Sequence, residues 1–440
     1  MKEVFLLHPK TISLIIAPHF LKKVFLKKKY YLLPNNKYLR KINIFFYLKF
    51  LRKLKLFFNL INESKIIWSN PKKFRYIVFD DISLGMVDKI LPKNRFFILA
   101  TRIENIKEIY ISTDILIYIL KNIFKSSLKV NYICSLIKYI KPKKIVTIVD
   151  NSHDFHFVFN RFKNSNISFY AIQNAYRHNN YLKQLFSLSN YSGNYFCFGD
   201  YELNCIKSNK TIKGDLNVKS IGSLRIEVAK EYLLKNKKKD FQKKYDVCFI
   251  SEAFFSMYSE GASKATTYLD NHKCSIKLLQ HVLTFCEKNK KKLLFLGRDN
   301  TIQNKEDFRE EEILYYKYRN KNKNFNIQFF DKTKFEHIRH LLCSDVVVGT
   351  ASTLLKESFG LKKKILVCEW RKKDNRLGTT YFPSSGIVKL KSQKYFDFEK
   401  RIKKILSLNY NQYLSSVTNP KSTYNLNFNT LKFLRKEMLK

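Results

Sequence analysis

The sequence predicts an α/β protein with open parallel β-sheets, and three observations support this fold class. Short apolar runs alternate with amphipathic segments along most of the chain. With 440 residues, the chain is about twice as long as a single hydrophobic core normally requires. Near its middle, after Arg225, the pattern is interrupted by the polar, Lys-rich stretch AKEYLLKNKKKDFQKKY. We therefore predict two domains joined by a linker.

Ten short apolar runs are predicted to be the strands. Each contains five to seven mostly apolar residues and lies next to an amphipathic segment. Runs of this kind are typical of parallel strands that helices cover on both faces of a sheet. In order along the chain they are 76–80, 96–100, 144–150, 167–173, 195–199, 246–251, 292–297, 325–330, 345–349 and 364–369.

The strand order and the linker define the predicted domains. One parallel-sheet domain is predicted over 1–225, the linker over 226–245 and a second parallel-sheet domain over 246–395. The last segment, 396–440, begins with the helical pattern FDFEKRIKKILSL and then loses regularity in an Asn-rich run. In each domain, a ligand is expected beyond the carboxyl ends of the strands, because open parallel sheets bind their ligands there.

The charge balance is strongly basic, with 83 Lys and Arg against 36 Asp and Glu and a formal charge of +47. Such an excess indicates nucleic acid, a membrane surface or anionic substrates as partners. Drift of the amino-acid composition in an AT-rich genome explains the excess equally well. With 27 Tyr and 38 Phe, the chain could also stack nucleic-acid bases. The basic residues are dispersed, however, and no RRM, KH or helix-turn-helix signature is present. We expect no nucleic-acid partner and keep a basic nucleic-acid-binding protein as the alternative from another class.

The cysteines and the apolar segments bear on location. Eight scattered cysteines without a CxxC pair predict reduced, buried thiols in a cytoplasmic protein. No run of 18 apolar residues predicts a spanning helix, and no cleavage site follows the N-terminal apolar run. The basic, aromatic stretch 21–60 fits either an ordinary pair of surface helices or a segment lying on an anionic bilayer. A peripheral position on the inner face of the cytoplasmic membrane is thus one option.

The turn after the strand DVVVG has the composition of an anion-binding site. Its sequence is GTASTLLKE, in which Gly349 and Thr350 precede a predicted helix with unpaired N–H groups and a positive dipole end. Ser352 and Thr353 add hydroxyl donors for a diphosphate. Glu357, one helical turn beyond Thr353, is placed to accept hydrogen bonds from a ribose diol. The turn predicts a nucleotide site, and the same residues also fit an ordinary N-cap with a capping glutamate.

A general base is expected after the strand KIVTIVD. It must take a proton from an acceptor hydroxyl and titrate near neutrality. The candidates are His153, Asp150, Asp154 and His156, with His153 preferred because it lies just past the turn. Each histidine fits capping or packing of the following helix equally well.

Two further strand ends carry polar residues. After ISFYAIQ, Asn174 and Arg177 are predicted to orient an anionic or polyhydroxyl acceptor. After FFILA, Glu104 is a candidate for either the acceptor site or the catalytic base.

These motifs, in this order over roughly 76–371, resemble those of bacterial surface-carbohydrate (lipopolysaccharide and capsule) biosynthesis transferases of the GT-B type. That family carries D-N before an aromatic-rich helix, then I-Q-N-G-x-R and S-T-L-G-Y-E. In this chain the motifs stand as Asp150–Asn151, as IQNAYR at 172–177 and as STLLKE at 352–357, with Ala175 and Leu355 in place of two glycines.

The resemblance implies a GT-B fold, in which two Rossmann-like domains with parallel sheets face a central cleft. The second domain would hold a nucleotide-sugar donor and the first a glycan or lipid-linked acceptor, with 396–440 crossing back to the first domain. Charge on the departing nucleotide would be stabilised by helix dipoles and basic side chains, without a metal or other cofactor.

The implied activity is a glycosyltransferase that adds a sugar to a growing surface glycan, either O-antigen or capsule. A CDP-alcohol polyol-phosphate transferase and a sugar epimerase on the same fold are alternatives. The predicted catalytic residues are His153, Asp150 and Glu104, the donor-binding residues are Gly349, Thr350, Ser352, Thr353, Glu357, Arg298 and Arg371, and the acceptor-binding residues are Asn151, Gln173, Asn174 and Arg177.

Overall fold

The computed structural model describes most of the chain in two compact units. The described residues are 62–92, 95–102, 105–189, 191–210, 216–235, 242–251, 262–297, 325–328, 335–350, 352–370 and 382–440. The first unit comprises Met1–Leu84, Lys93–Val146 and Ser152–Ser168, and the second comprises Gly85–Pro92, Thr147–Asn151 and Phe169–Lys440.

Among the described residues, the first unit contains parallel strands and three longer helices. Its central strand β2 pairs in parallel with β3 on one side and with β5 on the other, and β1 pairs in parallel with β4. The elements up to the end of this unit are β1 (Lys65–Ile67), β2 (Tyr76–Phe79), a 3-10 helix (Asp81–Ser83), α1 (Leu84–Val87), β3 (Phe96–Leu99), β4 (Glu108–Tyr110), α2 (Thr113–Lys121), α3 (Leu128–Ile140), β5 (Lys144–Thr147) and α4 (His153–Phe162).

The second unit begins with three parallel strands, each followed by a helix. The strands pair in the order β6-β7-β8. The helices start beyond the carboxyl end of each strand, which places their first turns and the preceding loops at one edge. The elements are β6 (Ser168–Ile172), α5 (Asn179–Ser189), β7 (Asn194–Cys197), α6 (Asp200–Lys207), β8 (Asn217–Ser220) and α7 (Leu224–Lys235).

A six-stranded parallel sheet of order β11-β10-β9-β12-β13-β15 follows in the second unit. Its central strands are buried on both faces, as their unbroken apolar sequences require. The elements are β9 (Tyr245–Ile250), α8 (Ala262–Lys288), β10 (Leu293–Leu296), β11 (Phe325–Gln328), α9 (Glu336–Leu342), β12 (Ser344–Gly349), α10 (Thr353–Gly360), β13 (Lys364–Cys368), β14 (Ser385–Gly386) and β15 (Lys389–Leu390).

The last segment of the second unit comprises α11 (Tyr395–Ser407), α12 (Tyr410–Ser415), β16 (Val417–Thr418), α13 (Pro420–Thr423) and α14 (Thr430–Leu439), and β16 pairs antiparallel with β14. We refer to 419–440 as the tail. The tail returns to the loops after β7 and β8: Tyr424 accepts a hydrogen bond from the Ser223 amide (2.8 Å), and Asn425 donates its amide to the Phe198 carbonyl (3.0 Å).

Small residues make room for the tail. A Cβ atom at Gly360, the last residue of α10, would lie 2.4 Å from the Tyr424 ring, and one at Gly199 would lie 2.6 Å from the Ser422 carbonyl oxygen. Gly222, two residues before the start of α7, adopts a φ of 86°, a left-handed conformation that favours glycine. These three glycines let the tail approach the backbone closely.

The predicted α/β fold class is confirmed, and all ten predicted strands are present with ends that differ by a few residues. The strands that the sequence did not predict are β1, β4, β8 and the very short β14, β15 and β16. The helix predicted at the start of 396–440 is α11, but the Asn-rich run beyond it contains three further helices. The predicted domain division stays a prediction, and the stretch 21–60 lies outside the described residues.

All eight cysteines are buried free thiols. Burial raises the pKa of Cys134, Cys248 and Cys286 to about 12, so these thiols stay protonated and unreactive. In the described part of the chain, none of the helices combines the length and the apolar character that crossing a bilayer requires.

His340, on α9, should make the protein sensitive to acid. It is only 8% exposed, and burial, together with the charge of Arg339, lowers its pKa from 6.5 to about 4. The neutral ring lies 3.3 Å from Nη2 of Arg339, which suits a neutral Nε2 that accepts a hydrogen bond. As the pH falls, the His340 ring binds a proton in the unfolded chain before it does so in the folded chain. The stabilisation that the neutral ring gives the folded chain is therefore complete above pH 6.5 and is lost as the pH falls towards 4.

We therefore expect the free energy of unfolding to fall less between pH 7 and pH 4.5 in His340→Gln than in the unmodified chain. The difference should be on the order of 1 kcal/mol after allowance for solvent screening. Urea unfolding at both pH values measures it. Equal losses in the two proteins would mean that His340 does not carry this acid sensitivity.

Candidate functional site

The loop after β6 holds a buried ion pair. Arg177 meets Asp150 side-on, with Nε donating to Oδ2 at 2.9 Å and Nη2 to Oδ1 at 2.6 Å. The Tyr195 hydroxyl donates to the same Oδ2 at 3.0 Å, and Nη2 of Arg177 also reaches Oδ1 of Asn174 at 3.3 Å. Asp150 is fully buried, so three donors fix its carboxylate in one orientation.

The protonation states of this group follow from its surroundings. Burial alone lowers the pKa of Arg177, but the charge of Asp150 and the hydrogen bonds to it outweigh this, and the pKa of Arg177 is raised. Burial and the charge of Asp150 raise the pKa of Tyr195 well above its usual value. Arg177 is therefore a permanent cation, which also lies 5.4 Å from the Tyr181 ring centroid. Asp150 therefore fixes the orientation of Arg177.

The turn between β12 and α10 forms a helix N-cap. Ser352 Oγ accepts from the Leu354 amide at 3.2 Å, as in the capping interpretation of the sequence. A Cβ atom at Gly349 would lie 3.1 Å from a methyl group of Leu355, so this side chain occupies the space beside the glycine. Thr350 is buried. Ser352 and Thr353 are half-buried at the positive end of the helix dipole.

Thr353 joins this turn to the loop after β6. Its Oγ1 accepts from the Tyr176 amide at 3.0 Å. The two motifs predicted from sequence, IQNAYR and STLLKE, therefore meet through a direct hydrogen bond, although they are separated by 177 residues.

Glu357 is fully buried and lies in a second ion pair. Nε of Arg225 donates to its Oε1 at 2.9 Å, Nη2 of Arg225 contacts Oε2, and Ser223 Oγ donates to Oε1 at 2.9 Å. Both carboxylate oxygens thus have protein donors. Burial alone lowers the pKa of Arg225, but the charge of Glu357 reverses this effect and the pKa is raised. Arg225 keeps its charge and is partly exposed.

Lys356 forms a third ion pair, deep in the protein. Its Nζ donates to Oε1 of Glu202 at 2.9 Å and lies 4.0 Å from the ring centroid of Tyr176. Both charged side chains are almost fully buried. Burial lowers the pKa of Lys356 even though Glu202 opposes the change. Gln173 is buried beside them, and its amide bonds to Glu202, to the Ala175 carbonyl and to the Phe198 amide.

One face of α10 therefore organises the site. Thr353, Lys356 and Glu357 are three and four residues apart, so their side chains share a helix face. Each contacts a residue that follows a different strand, β6, β7 or β8. Ser352 lies at the helix start, and Arg177 and Arg225 are cations; a hydroxyl at a helix start and a guanidinium are the kinds of group that can bind anions such as phosphate.

The other predicted residues lie in varied environments. His153 is the first residue of α4, exposed, with Ser152 as the N-cap. Asp154 pairs with Lys129 at 2.6 Å, and His156 is buried. Asn151 is half-buried. Three predicted residues, Glu104, Arg298 and Arg371, lie outside the described residues.

The partners that complete this site have no strong signal in the sequence. Ser223 and Arg225 follow β8, whose sequence NVKS lacks an apolar run and therefore does not predict a strand. The glycine at position 222 before them was the available signal. Glu202 and Lys356 carry charges and lie on helices, a pattern that normally indicates a solvated face.

No group of three or more His, Cys, Asp or Glu side chains in the described ranges is arranged to hold a metal ion.

Comparison with known proteins gives a match in structure but not in sequence. No family model and no curated protein matches the chain. The UDP-GlcNAc 2-epimerase of Neisseria meningitidis bound to UDP-GlcNAc is 15% identical, over 83% of this chain and 99% of that one, with a TM-score of 0.50. A putative UDP-N-acetylglucosamine 2-epimerase of Listeria monocytogenes is 14% identical, over 84% and 95%, also with a TM-score of 0.50.

A glycosyltransferase of Rickettsia africae ESF-5 is 11% identical over 84% of this chain and 100% of that one, with a TM-score of 0.41. At such identities, similarity establishes the fold alone. The chain has the GT-B type of α/β fold, with two Rossmann-like parallel sheets.

Proposed function

We propose that this protein is a glycosyltransferase that moves a sugar from a nucleotide-activated donor to a glycan. The observation that carries the proposal is the start of α10. There, a buried parallel strand turns into a helix whose first residues, Ser352 and Thr353, present hydroxyl groups beside the positive dipole end. Strand-to-helix turns of this type hold diphosphates in nucleotide-binding α/β folds.

Donor binding would use the helix start together with basic side chains and without a metal. Arg225 is partly exposed, and Glu357 holds its guanidinium side-on through Nε and Nη2, while Ser223 Oγ donates to Oε1 of Glu357, so the orientation of the cation is fixed in advance. A preorganised cation stabilises charge that develops on a departing diphosphate. Arg298 and Arg371 stay proposed donor contacts. Glu357 can serve the ribose only in competition with Arg225.

Acceptor binding would use Asn151, Asn174 and Arg177, and His153 would act as general base. An imidazole exposed at the start of α4 can take the proton of an acceptor hydroxyl. The acceptor oxygen then bonds to the anomeric carbon, the bond from that carbon to the diphosphate breaks, and the nucleoside diphosphate leaves with the electron pair. Glu104 stays an alternative base.

The proposed acceptor is a growing surface glycan, O-antigen or capsule, in the cytoplasm at the inner face of the membrane. A lipid-linked glycan is confined to a bilayer, so a peripheral enzyme would gain from anionic lipid attraction. The excess of basic residues supports this setting.

A sugar-nucleotide 2-epimerase is the second candidate, because the two similar structures with a TM-score of 0.50 are a UDP-GlcNAc 2-epimerase and a protein assigned to the same enzyme class. An epimerase interconverts the sugar nucleotide without an acceptor, whereas a transferase releases the nucleoside diphosphate only as the sugar is transferred. Chromatography of sugar nucleotides incubated with the protein, with and without glycan acceptors, distinguishes the two activities.

We expect UDP, GDP, dTDP, CDP or CMP to raise the melting temperature of the full chain. A ligand at about 100 times its Kd adds roughly 2.7 kcal/mol. Ser352→Ala and Thr353→Val should each weaken the binding of the stabilising nucleotide by about 1–3 kcal/mol, because a ligand oxygen loses its hydrogen-bond partner. Isothermal titration calorimetry on the folded variants measures this loss.

The matched control is Ser358→Ala on the same helix. Ser358 is buried and donates to the Leu354 carbonyl, away from the helix start, so its removal should leave nucleotide affinity unchanged. If Ser352→Ala lowers stability by about 1 kcal/mol without changing affinity, the turn is only a cap. If single-stranded oligonucleotides stabilise the chain and none of these nucleotides does, the transferase proposal is wrong.

A further inference from the structure

Helix α2 and the turn after it expose a cluster of large apolar side chains. In the part of the chain that the structure describes, 15 large apolar residues are exposed, and six of them fall within 116–128. Phe124 is 92% exposed and Leu120 is 65% exposed. A cluster of this density marks a contact surface, whereas isolated exposed residues do not. We call it the α2 patch, and it consists of Leu116, Ile117, Leu120, Ile123, Phe124 and Leu128.

The helix forms the patch because it is apolar on both sides. Ile115 is buried and attaches α2 to the first unit, and Ser112 caps the helix start. Leu116 and Leu120 lie one turn apart on the outer side. The helix ends at Lys121, and the turn that follows extends the apolar surface through Ile123 and Phe124.

Basic residues border the α2 patch. Lys121, Lys125 and Lys129 recur every four residues along it and are exposed. Lys129 pairs with Asp154, at 2.6 Å, and Asp114 is the acidic residue of α2 itself. An exposed apolar cluster with lysines at its edge is the composition of surfaces that insert into the interface of an anionic bilayer.

Helix α4 extends the same surface. Nη2 of Arg161 donates to Oδ1 of Asn122, in the turn of the patch, at 3.2 Å. Phe157 is four residues before Arg161 and therefore on the same face of α4, and it is also exposed. His153, four residues earlier again, lies on this face at the helix start.

We propose that the α2 patch docks the protein on an anionic lipid bilayer, with Phe124 and Leu120 in the acyl-chain boundary and Lys121 and Lys125 among the headgroup phosphates. The proposal deepens the membrane association suggested above. It does not require sugar transfer. If both hold, His153 is on a helix whose exposed face points towards the lipid, as a lipid-linked acceptor requires.

Charge complementarity favours a bilayer over other occupants. Residues 1–61 contain 14 Lys or Arg and one acidic residue, and a second copy of the chain carries the same net charge of +47. Either occupant would bring positive charge against the lysines of the patch. An anionic bilayer brings negative charge instead.

The first test is sedimentation of the full chain with vesicles. Phosphatidylcholine vesicles containing phosphatidylglycerol should pellet the unmodified protein, and pure phosphatidylcholine should pellet much less. Leu120→Glu/Phe124→Glu should lower the partition coefficient by roughly tenfold or more. The control is Leu234→Glu/Phe396→Glu, which adds the same charge at sites 57% and 72% exposed and should bind as the unmodified chain. Equal binding by both variants would overturn the proposal.

The second test asks whether the patch is open. Because the eight native cysteines are buried, Phe124→Cys and Phe396→Cys each add one accessible thiol. A hydrophilic maleimide should label both rapidly without vesicles, and anionic vesicles should protect Phe124→Cys alone. Slow labelling of Phe124→Cys without vesicles would mean that the chain or a second copy covers the patch, and the proposal would be wrong. Nucleotide-induced melting shifts, measured on the same proteins, report separately on the proposed activity.

Discussion

Replacing Lys356 with methionine should lower the free energy of unfolding by about 3–5 kcal/mol, which is the usual cost of removing one partner from a buried ion pair. Glu202 would be left in a fully buried position without its cationic partner, while the Gln173 amide still donates to it. The attraction of the ammonium group to the Tyr176 ring would also be lost. Urea unfolding at neutral pH measures the change.

Two controls distinguish the effect of breaking a buried ion pair on stability from the effect of simply losing a lysine. Lys356→Met/Glu202→Gln removes both charges and should recover much of the loss. Lys230→Met breaks a pair with Glu227 that is 38% and 22% exposed and should cost less than about 1 kcal/mol. If Lys356→Met costs no more than Lys230→Met, the pair with Glu202 is not buried in solution.

Gly360→Ala should lower the free energy of unfolding by about 2–3 kcal/mol, as overpacking of a dense core does. The added methyl group would lie 2.4–2.7 Å from three ring carbons of Tyr424, and that ring is buried and cannot turn aside freely. A helical glycine replaced by alanine normally gains about 0.5–1 kcal/mol, so the packing effect must exceed this gain.

Gly85→Ala is the matched control. Gly85 lies in α1, and a Cβ atom there would meet nothing within 4 Å, so this variant should be neutral or slightly more stable. Guanidinium unfolding of both variants decides the matter. A stability of Gly360→Ala equal to that of Gly85→Ala would show that the tail does not pack against α10.

The sequence predicts elements whose local pattern is strong. The strand β12, DVVVG, is a continuous apolar run, and such runs form buried parallel strands wherever they occur in an α/β chain. The N-cap at Ser352 follows from its local position before an apolar helix. The strand β8, NVKS, contains a single apolar residue and is only partly buried, so its pattern does not distinguish it from a loop.

Pairings between side chains that are distant in the sequence could not be predicted from local sequence patterns. Glu357 is recognisable as a polar residue one turn into a helix, but its partner Arg225 lies 132 residues earlier. Lys356 would normally be assigned to solvent, and it is buried because Glu202, 154 residues away, supplies the opposite charge. Local periodicity contains no information on such a match, because the energy of the pair depends on the tertiary fold.

The hydrogen bonds that α10 makes within the protein limit which of its side chains can bind a donor. Lys356 and Glu357 are hydrogen-bonded to protein partners, whereas Thr353 Oγ1 only accepts a hydrogen bond and can still donate one. A nucleotide would therefore meet first the hydroxyl groups of Ser352 and Thr353 and the exposed part of Arg225. Donor affinity should therefore depend more on phosphate contacts than on the ribose. Comparing UMP with UDP by calorimetry would measure that dependence.

The return of the tail should also govern how fast the second unit folds. The hydrogen bonds from Ser223 to Tyr424, from Thr430 to Ile221 and from Arg435 to Lys89 join residues 201, 209 and 346 positions apart. Each of these hydrogen bonds can form only after a long loop has closed, and the entropy lost in closing the loop is offset only once the contact has formed. Chains rich in such contacts fold slowly. During that interval the cavities left for Tyr424 beside Gly222 and Gly360 stay unfilled, and the intermediate exposes apolar surface that promotes aggregation. Soluble yield in expression should then depend on the rate of synthesis and on chaperone supply more than on the final stability of the protein.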